Sequence, residues 1–164
     1  SNNKMSVLLA ISLTTGVLSG LWGWLSVSLG LITWAGFLGC TSYFASPTEG
    51  PKGLFYSSIS NLSGVFWATI IIKLSQYFAI EIISYVVIAF VVFAMCIQAR
   101  LAFLSYIPGT FIGCCAMFAS DGDWLVLCSS LVVGGVFGFL MKSSGLWLHE
   151  KVASNTASQE QPTP

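Results

Sequence analysis

Asn61, in the stretch SSISNLSG, has the polar side chain of this sequence that most requires hydrogen-bond partners. It lies within a long apolar segment, where an amide without hydrogen bonds costs several kcal/mol. Two interpretations stay open: Asn61 joins two helices, or it faces a hydrated cavity. Thr110 adds a hydroxyl in a second apolar segment, although hydroxyls of membrane helices often bond to their own backbone. Such uncharged groups are the most informative polar residues of the apolar segments.

The residues that enzymes use for catalysis are largely missing. His149 is the one histidine, and it lies beside Glu150 and Lys151 at the end of the last apolar segment. The one acid within the apolar segments is Glu81, at the start of the fourth, so their interior offers no carboxylate for a proton relay. HExxH, GxSxG and phosphate-loop motifs are absent. We therefore expect no enzymatic activity and no cofactor.

Five cysteines occur without CxxC spacing, at Cys40, Cys96, Cys114, Cys115 and Cys128. All of them fall in apolar segments, where a free cysteine behaves as a small hydrophobic residue. We expect a structural use for them and no metal site.

The composition indicates an integral membrane protein. Of 164 residues, 55% are hydrophobic and 7% are charged, and the mean hydropathy is +0.85. In soluble domains roughly a quarter of all residues are charged. Residues 6–46 contain no charged residue and no histidine, and an uncharged run of that length is long enough to cross a bilayer twice at about 20 residues per helix.

Turn residues and charges divide the chain into six predicted membrane-spanning helices, at about 5–26, 30–46, 54–72, 79–99, 102–120 and 124–142. A turn near Ser26–Gly30 separates the first two segments, and the loop SPTEGPKG follows the second. Pro108, inside the fifth segment, either starts that helix or breaks it, and a helix start is the simpler expectation. Residues 149–164 are polar and are predicted to be a disordered tail. We expect no cleaved signal peptide, because the first apolar run continues into a second span.

Basic residues predict the orientation in the membrane. With six spans and a cytoplasmic N-terminus, one basic residue, Lys73, lies outside together with Asp121 and Asp123. The positive-inside rule favours this arrangement, with both termini in the cytoplasm. The basic residues on the cytoplasmic side are then Lys4, Lys52, Arg100, Lys142 and Lys151.

Two parts of the sequence resemble each other. FLGCTSYFASPTEG at 37–50 returns as FIGCCAMFASDGDW at 111–124, an offset of 74, and Gly64-Val65-Phe66 returns as Gly135-Val136-Phe137, an offset of 71. Chance is the alternative, since these residue types are frequent in membrane helices. A duplication predicts two three-helix units, 5–73 and 79–148. Because each unit has an odd number of spans, the second is inverted, as in many transporters.

The repeated segments supply candidate functional residues. Small residues three or four apart let helices approach closely in lipid, and the predicted packing residues are Gly36, Gly39, Cys40, Gly109, Gly113 and Cys114. The same helices, placed near a common axis, are candidates for a solute path formed by Gly39, Thr41, Phe44, Asn61, Thr110, Gly113 and Phe118. Phe44 and Phe118 are expected at opposite membrane faces, either as lipid-facing bulk or as constrictions.

The sequence also resembles a known family. The stretches GVLSGLWGWLSVSLGLITWAGFLGCTSYFASP, IPGTFIGCCAMFASDGDW and SGLWL are similar to the YcdZ-like bacterial inner-membrane proteins, a family defined by a domain of unknown function. The resemblance covers about residues 5–148. It implies a multi-spanning protein of the bacterial inner membrane, and it implies no substrate, catalytic residue or cofactor.

Together these features predict a small channel or facilitator for a small neutral or weakly charged solute. The absence of acids from the interior of the spans argues against coupling through a carboxylate. The alternative is a scaffold that binds another membrane protein through the glycine and cysteine seam. The expected partners are the lipid bilayer, further copies of the chain and an unidentified solute, with no nucleic acid.

The orientation gives a first prediction. A reporter fused after Pro164 should read cytoplasmic, and a reporter inserted at Gly122 should read periplasmic, because the basic residues gather on one side. Paired alkaline phosphatase and green fluorescent protein fusions measure both positions. The opposite reading at either position would contradict the six-span arrangement.

Overall fold

The chain forms six α-helices in a computed structural model that describes residues 6–160, with side chains described up to 157. The helices are α1 (Val7–Leu29), α2 (Thr33–Ala45), α3 (Gly50–Phe78), α4 (Glu81–Ile97), α5 (Ile107–Ala119) and α6 (Trp124–Glu160). Two 3-10 turns, Gln98–Arg100 and Ala102–Leu104, separate α4 from α5. Lys4, which the predicted orientation uses, and residues 161–164 of the predicted tail lie outside the described residues.

Four of these helices, α1, α3, α4 and α6, are long and apolar enough to cross a membrane by their length and composition. The prediction of an all-helical chain with helices suited to a membrane is therefore confirmed. α1 begins and ends at a recognisable signal. Ser6 accepts a hydrogen bond from the amide of Leu9 at the start of α1, and Gly30, with a φ of 70°, ends it.

The other two helices are shorter than the sequence predicts. α2 and α5 have 13 residues each, which is about 20 Å at 1.5 Å per residue and less than the roughly 30 Å hydrocarbon core. Proline explains the later start of α5 and the end of α2, whereas the later start of α2 follows from the turn at Gly30 and the extended Ile32. Ser46, before Pro47, is extended and ends α2, and Pro108 lies in the first turn of α5. Pro108 therefore starts a helix, as expected.

Two long helices continue past their predicted ends. α3 does not end at Lys73 but runs to Phe78, and α6 does not end at Lys142 but runs to Glu160. Residues 149–160 are thus helical where a disordered tail is predicted. A charged side chain does not interrupt the backbone hydrogen bonds of a helix. A helix that is already nucleated therefore extends at low cost through residues such as Ala153 and Ala157.

The turn between α1 and α2 is fixed by side chains. The indole Nε1 of Trp22 donates to the carbonyl of Thr33 at 2.9 Å, and the hydroxyls of Ser26 and Thr33 lie 2.6 Å apart. Trp22 is 1% exposed and its ring fills the space beside Gly36, where a Cβ would overlap it. The packing role predicted for Gly36 therefore includes the contact of α2 with the Trp22 ring of α1.

α2 packs along α6 through glycines. A Cβ at Gly39 would overlap the carbonyl oxygen of Leu131, and one at Gly134 would overlap the backbone of Gly36. Since no side chain separates them, the two backbones are in direct contact, the arrangement that small residues permit in lipid.

α3 packs along α5 in the same way. A Cβ at Gly113 would overlap the carbonyl oxygen of Asn61, and one at Gly64 would overlap the carbonyl oxygen of Thr110. Gly39 and Gly113 therefore each abut a long helix of the other predicted unit. α2 and α5 do touch, but neither glycine packs on the other short helix.

The glycine contacts give a second prediction. Gly39→Ala and Gly113→Ala should each lower the free energy of unfolding by about 1–3 kcal/mol, because one added methyl group must separate two backbones. Gly20→Ala is the matched control, since a Cβ there meets nothing within 4 Å, and it should be neutral or slightly stabilising. Thermal unfolding in detergent measures all three. Equal melting temperatures for Gly113→Ala and Gly20→Ala would contradict the packing described.

Candidate functional site

Asn61 lies near the middle of α3 and ties three helices together. Its side chain is 1% exposed. The amide is oriented by its partners, so that Nδ2 donates to the carbonyl of Gly109 at 2.8 Å, the carbonyl of Ser57 at 3.2 Å and the hydroxyl of Ser42 at 2.8 Å. The sequence leaves two interpretations of Asn61 open, a link between helices or a residue that faces a hydrated cavity. The contacts of its amide correspond to the link between helices.

A second group of polar side chains lies on the same part of α3. Gln98, in the 3-10 turn after α4, accepts from the indole of Trp67 at 2.8 Å. Its Nε2 donates to the hydroxyl of Ser63 at 3.0 Å and to that of Thr110 at 3.4 Å. Thr110 is fully buried. These bonds connect the segment after α4 to α3 and α5 through uncharged groups alone.

Tyr106 and Ser60 complete this region. The Tyr106 hydroxyl donates to the carbonyl of Ser42 at 2.9 Å, which links the start of α5 to α2. Ser60 is fully buried, and among the described residues its hydroxyl has no hydrogen-bond partner. We refer to this set as the polar cluster: Ser42, Ser57, Ser60, Asn61, Ser63, Gln98, Tyr106 and Thr110.

The chemistry of the polar cluster is that of hydrogen bonding. Its hydroxyl and amide groups both donate and accept, and they carry no formal charge near neutral pH. Within residues 6–160 the structure brings together no group of three or more His, Cys, Asp or Glu side chains that could hold a metal ion. The cluster is therefore suited to water or to a small solute that exchanges hydrogen bonds.

The predicted site residues fall into two groups. The buried ones lie at helix contacts or in the polar cluster: Gly36, Gly39, Cys40, Asn61, Gly109, Thr110, Gly113 and Cys114. The other three lie nearer the outside of the bundle. Thr41 is exposed and donates to the carbonyl of Phe37 at 2.9 Å, Phe44 is partly buried, and Phe118 is 50% exposed. Thr41 therefore has no place in the polar cluster.

Several members of the polar cluster were not predicted as site residues. Ser57 and Ser60 precede Asn61 by four residues and one residue, which places Ser57 and Asn61 on one helical face. That spacing is a usable signal. Ser42 and Tyr106 gave no such signal, because their roles depend on which helices meet. Gln98 stands out in the sequence only as a polar residue at a helix end.

These features define an all-helical membrane protein with a buried uncharged cluster. A family model described as "Protein of unknown function (DUF1097)" matches residues 12–146. The chain belongs to this DUF1097 family, and the resemblance noted in the sequence is confirmed.

Named relatives agree with this assignment. The inner membrane protein YcdZ of Escherichia coli is 55% identical over 158 residues, which is 96% of each chain. YcdZ of Salmonella typhimurium is 55% identical and covers 93% of this chain and 98% of its own. The uncharacterized protein YahC of E. coli is 30% identical, over 89% and 95% of the two chains. No solved structure matches.

The contacts of Asn61 give a third prediction. Asn61→Leu should lower the free energy of unfolding by about 1–3 kcal/mol, because it removes the bonds to Gly109 and Ser42 and leaves their buried groups unpaired. Thr41→Val is the control, since that hydroxyl bonds only within its own helix, and it should unfold like the parent. Thermal unfolding in detergent compares them. A similar loss in both variants would contradict the linking role.

Proposed function

We propose that this protein is a small channel or facilitator that passes a small neutral or weakly charged solute across the inner membrane. The observation that carries the proposal is the hydroxyl of Ser60, which is fully buried beside Asn61 and has no hydrogen-bond partner in the part of the chain that the structure describes. A buried donor left unpaired costs about 1–3 kcal/mol. A passing solute or water would supply the missing hydrogen bond at this point.

The position of the polar cluster supports this function. Residues 57–63 lie between the eighth and fourteenth positions of the 29-residue α3, and we infer a place near the bilayer midplane, where transporters hold their solutes. Intramembrane polar residues are costly and commonly mark pathways. Here the groups are uncharged, which favours a neutral or weakly charged solute over a strongly charged ion.

The cluster is closed in this conformation, and its weakest bonds indicate where it would open. Gln98 contacts Thr110 at 3.4 Å, and Ser63 contacts Thr110 at the same distance. Bonds of this length are weak. We propose that a passing solute replaces these two hydrogen bonds. Gln98 would release its bond first, because it lies on a 3-10 turn rather than within a long helix.

The reciprocal glycine contacts support the proposed duplication of units 5–73 and 79–148. An offset of 74 relates Gly39 to Gly113 and Gly36 to Thr110, and an offset of 70 relates Gly64 to Gly134 and Asn61 to Leu131. Under these offsets the contact of Gly39 with Leu131 corresponds to that of Gly113 with Asn61. The contact of Gly134 with Gly36 corresponds to that of Gly64 with Thr110. The third helices thus match at an offset of 70, one residue from the 71 that the sequence suggests.

In the proposed inverted repeat, α2 and α5 are short helices that cross the membrane together with the extended residues at their ends, so that each unit keeps three crossings. Discontinuous or short helices near the midplane are typical of transporters with inverted repeats. α2 and α5 would enter the membrane from opposite sides, each held along a long helix of the other unit. The N- and C-termini would both lie in the cytoplasm.

The scaffold alternative loses support from the same contacts. It requires the glycine and cysteine seam to be free for a second membrane protein. Gly39 is covered by α6 and Gly113 by α3, so neither is open to a partner. We propose that assembly, if it accompanies function, is between copies of this chain and uses the outer face of α4, where Phe90 and Phe93 are exposed.

The proposal gives a fourth prediction. Proteoliposomes should pass at least one small solute among urea, glycerol and acetate faster than empty liposomes, as measured by stopped-flow light scattering. Ser60→Ala should slow that flux about fivefold, the effect of one lost hydrogen bond of about 1 kcal/mol. Its stability should stay equal or rise, since the removed hydroxyl is unpaired.

Ser129→Ala is the matched control, because that hydroxyl bonds only to the carbonyl of Leu125 in its own helix. It should leave both flux and stability unchanged. Flux of all three solutes at the rate of empty liposomes would reject the channel proposal. Equal flux in Ser60→Ala and the parent would remove the polar cluster from the path.

A further inference from the structure

A cavity of about 850 Å³ lies outside the polar cluster, at the end of the molecule that carries Asp121 and Asp123. It is bounded by the second half of α3, the end of α5, the turn after it and the start of α6. We call it the DGD cavity, after residues 121–123. Its volume falls in the range of about 300–1,000 Å³ that is typical of small-molecule sites.

The DGD cavity is apolar at its deep end and polar at its mouth. Leu62 and Val65 line the deep part, and Lys73 and Gln76 line the mouth on the same helix. From residue 62 to residue 76 α3 rises about 21 Å. That height exceeds half of the roughly 30 Å hydrocarbon core, so the cavity can accept an acyl chain from one leaflet.

The lining is open to the surrounding bilayer. Phe66, Phe118 and Trp124 line the cavity and are 59%, 50% and 57% exposed. Phenylalanine rings at such a position contact hydrocarbon, and an indole is favoured at the depth of lipid headgroups. The occupant that fits a cavity open on this side is a lipid rather than a water-soluble solute.

The charges at the mouth select the headgroup. Lys73 makes no ion pair or hydrogen bond with its side chain among the described residues, whereas Lys142 pairs with Glu49 at 2.6 Å, so the ammonium group of Lys73 is available to a ligand. Asp121 and Asp123 flank Gly122, which lines the cavity, and Asp123 also accepts from the amide of Val126. A cation and carboxylates at one mouth complement a phosphate and an ammonium group.

We propose that the DGD cavity binds one zwitterionic phospholipid, with an acyl chain against Leu62, Phe66 and Phe118 and its phosphate on Lys73. The ammonium group of the headgroup lies toward Asp121. An anionic lipid would match Lys73 equally well but would leave the carboxylates without a cation. This site does not depend on solute flux through the polar cluster.

The opposite end of the molecule carries the elements that the proposed duplication makes equivalent, and there aromatic rings and an ion pair occupy the corresponding place. There Tyr43 packs edge to face on Phe139, with ring centroids 6.0 Å apart, and Glu49 pairs with Lys142. Phe139 follows Thr69 of the DGD cavity by 70 residues. Thr69 is smaller and bonds only to the carbonyl of Val65 in its own helix, which contributes to the space at the DGD end.

Native mass spectrometry tests the site. The purified protein is delipidated, then equilibrated in detergent with equal amounts of phosphatidylethanolamine and phosphatidylglycerol of matched acyl chains. We expect one phosphatidylethanolamine per chain. Lys73→Gln should weaken its binding about tenfold, the scale of one lost charge-assisted hydrogen bond. Lys52→Gln, which removes a cation near Tyr56 outside the cavity, should bind like the parent.

Two further variants separate the tail from the headgroup. Thr69→Phe fills the cavity as Phe139 fills the other end, and it should abolish lipid retention with every charge intact. Asp121→Asn should reduce the preference for phosphatidylethanolamine. Equal binding in Lys73→Gln and Lys52→Gln, preference for phosphatidylglycerol, or retention in Thr69→Phe would each overturn the proposal. Displacement by phosphoethanolamine without acyl chains would also overturn it, because the ligand would then be a soluble zwitterion.

Discussion

Direct contact between helix backbones at glycines is the interaction on which the rest of this bundle depends. In lipid the hydrophobic effect does not drive helices together, so close packing must supply the attraction. α2 and α5, with 13 residues each, are shorter than the hydrocarbon core is thick, and each is held by a glycine contact along a long helix. The Gly113 contact lies against the backbone of Asn61, so it contributes directly to the burial of that residue.

The two contacts are alike in geometry but differ in chemistry. On the α3–α5 side, Asn61 binds Gly109 and Ser42, and Gln98 adds a second set of bonds. On the α2–α6 side, Leu131 occupies the corresponding place and is packed in the apolar core. The bonds of Asn61 therefore have no equivalent at Leu131, although the packing is reciprocal.

The sequence predicted the helical class, the turn near Gly30 and the helix start at Pro108, because these depend on local residues. It predicted that Gly39 and Gly113 allow a close approach, but not that their partners would be α6 and α3. A glycine indicates that a neighbour comes near without indicating which neighbour. The contacts of Ser42 and Tyr106 could not be predicted for the same reason. The predicted end of α6 was wrong because it was based on a charged residue, and charges do not end a helix.

α6 is one uninterrupted helix of 37 residues, about 55 Å long at 1.5 Å per residue. That is nearly twice the thickness of the hydrocarbon core, so its last turns stand in water as a continuation of the same rod. The rod carries Gly134 at its contact with α2. A force applied to the water-exposed turns would therefore be transmitted to this contact, because no break in the helix lies between them. α6 would thus act as a lever between the aqueous phase and the lipid bilayer.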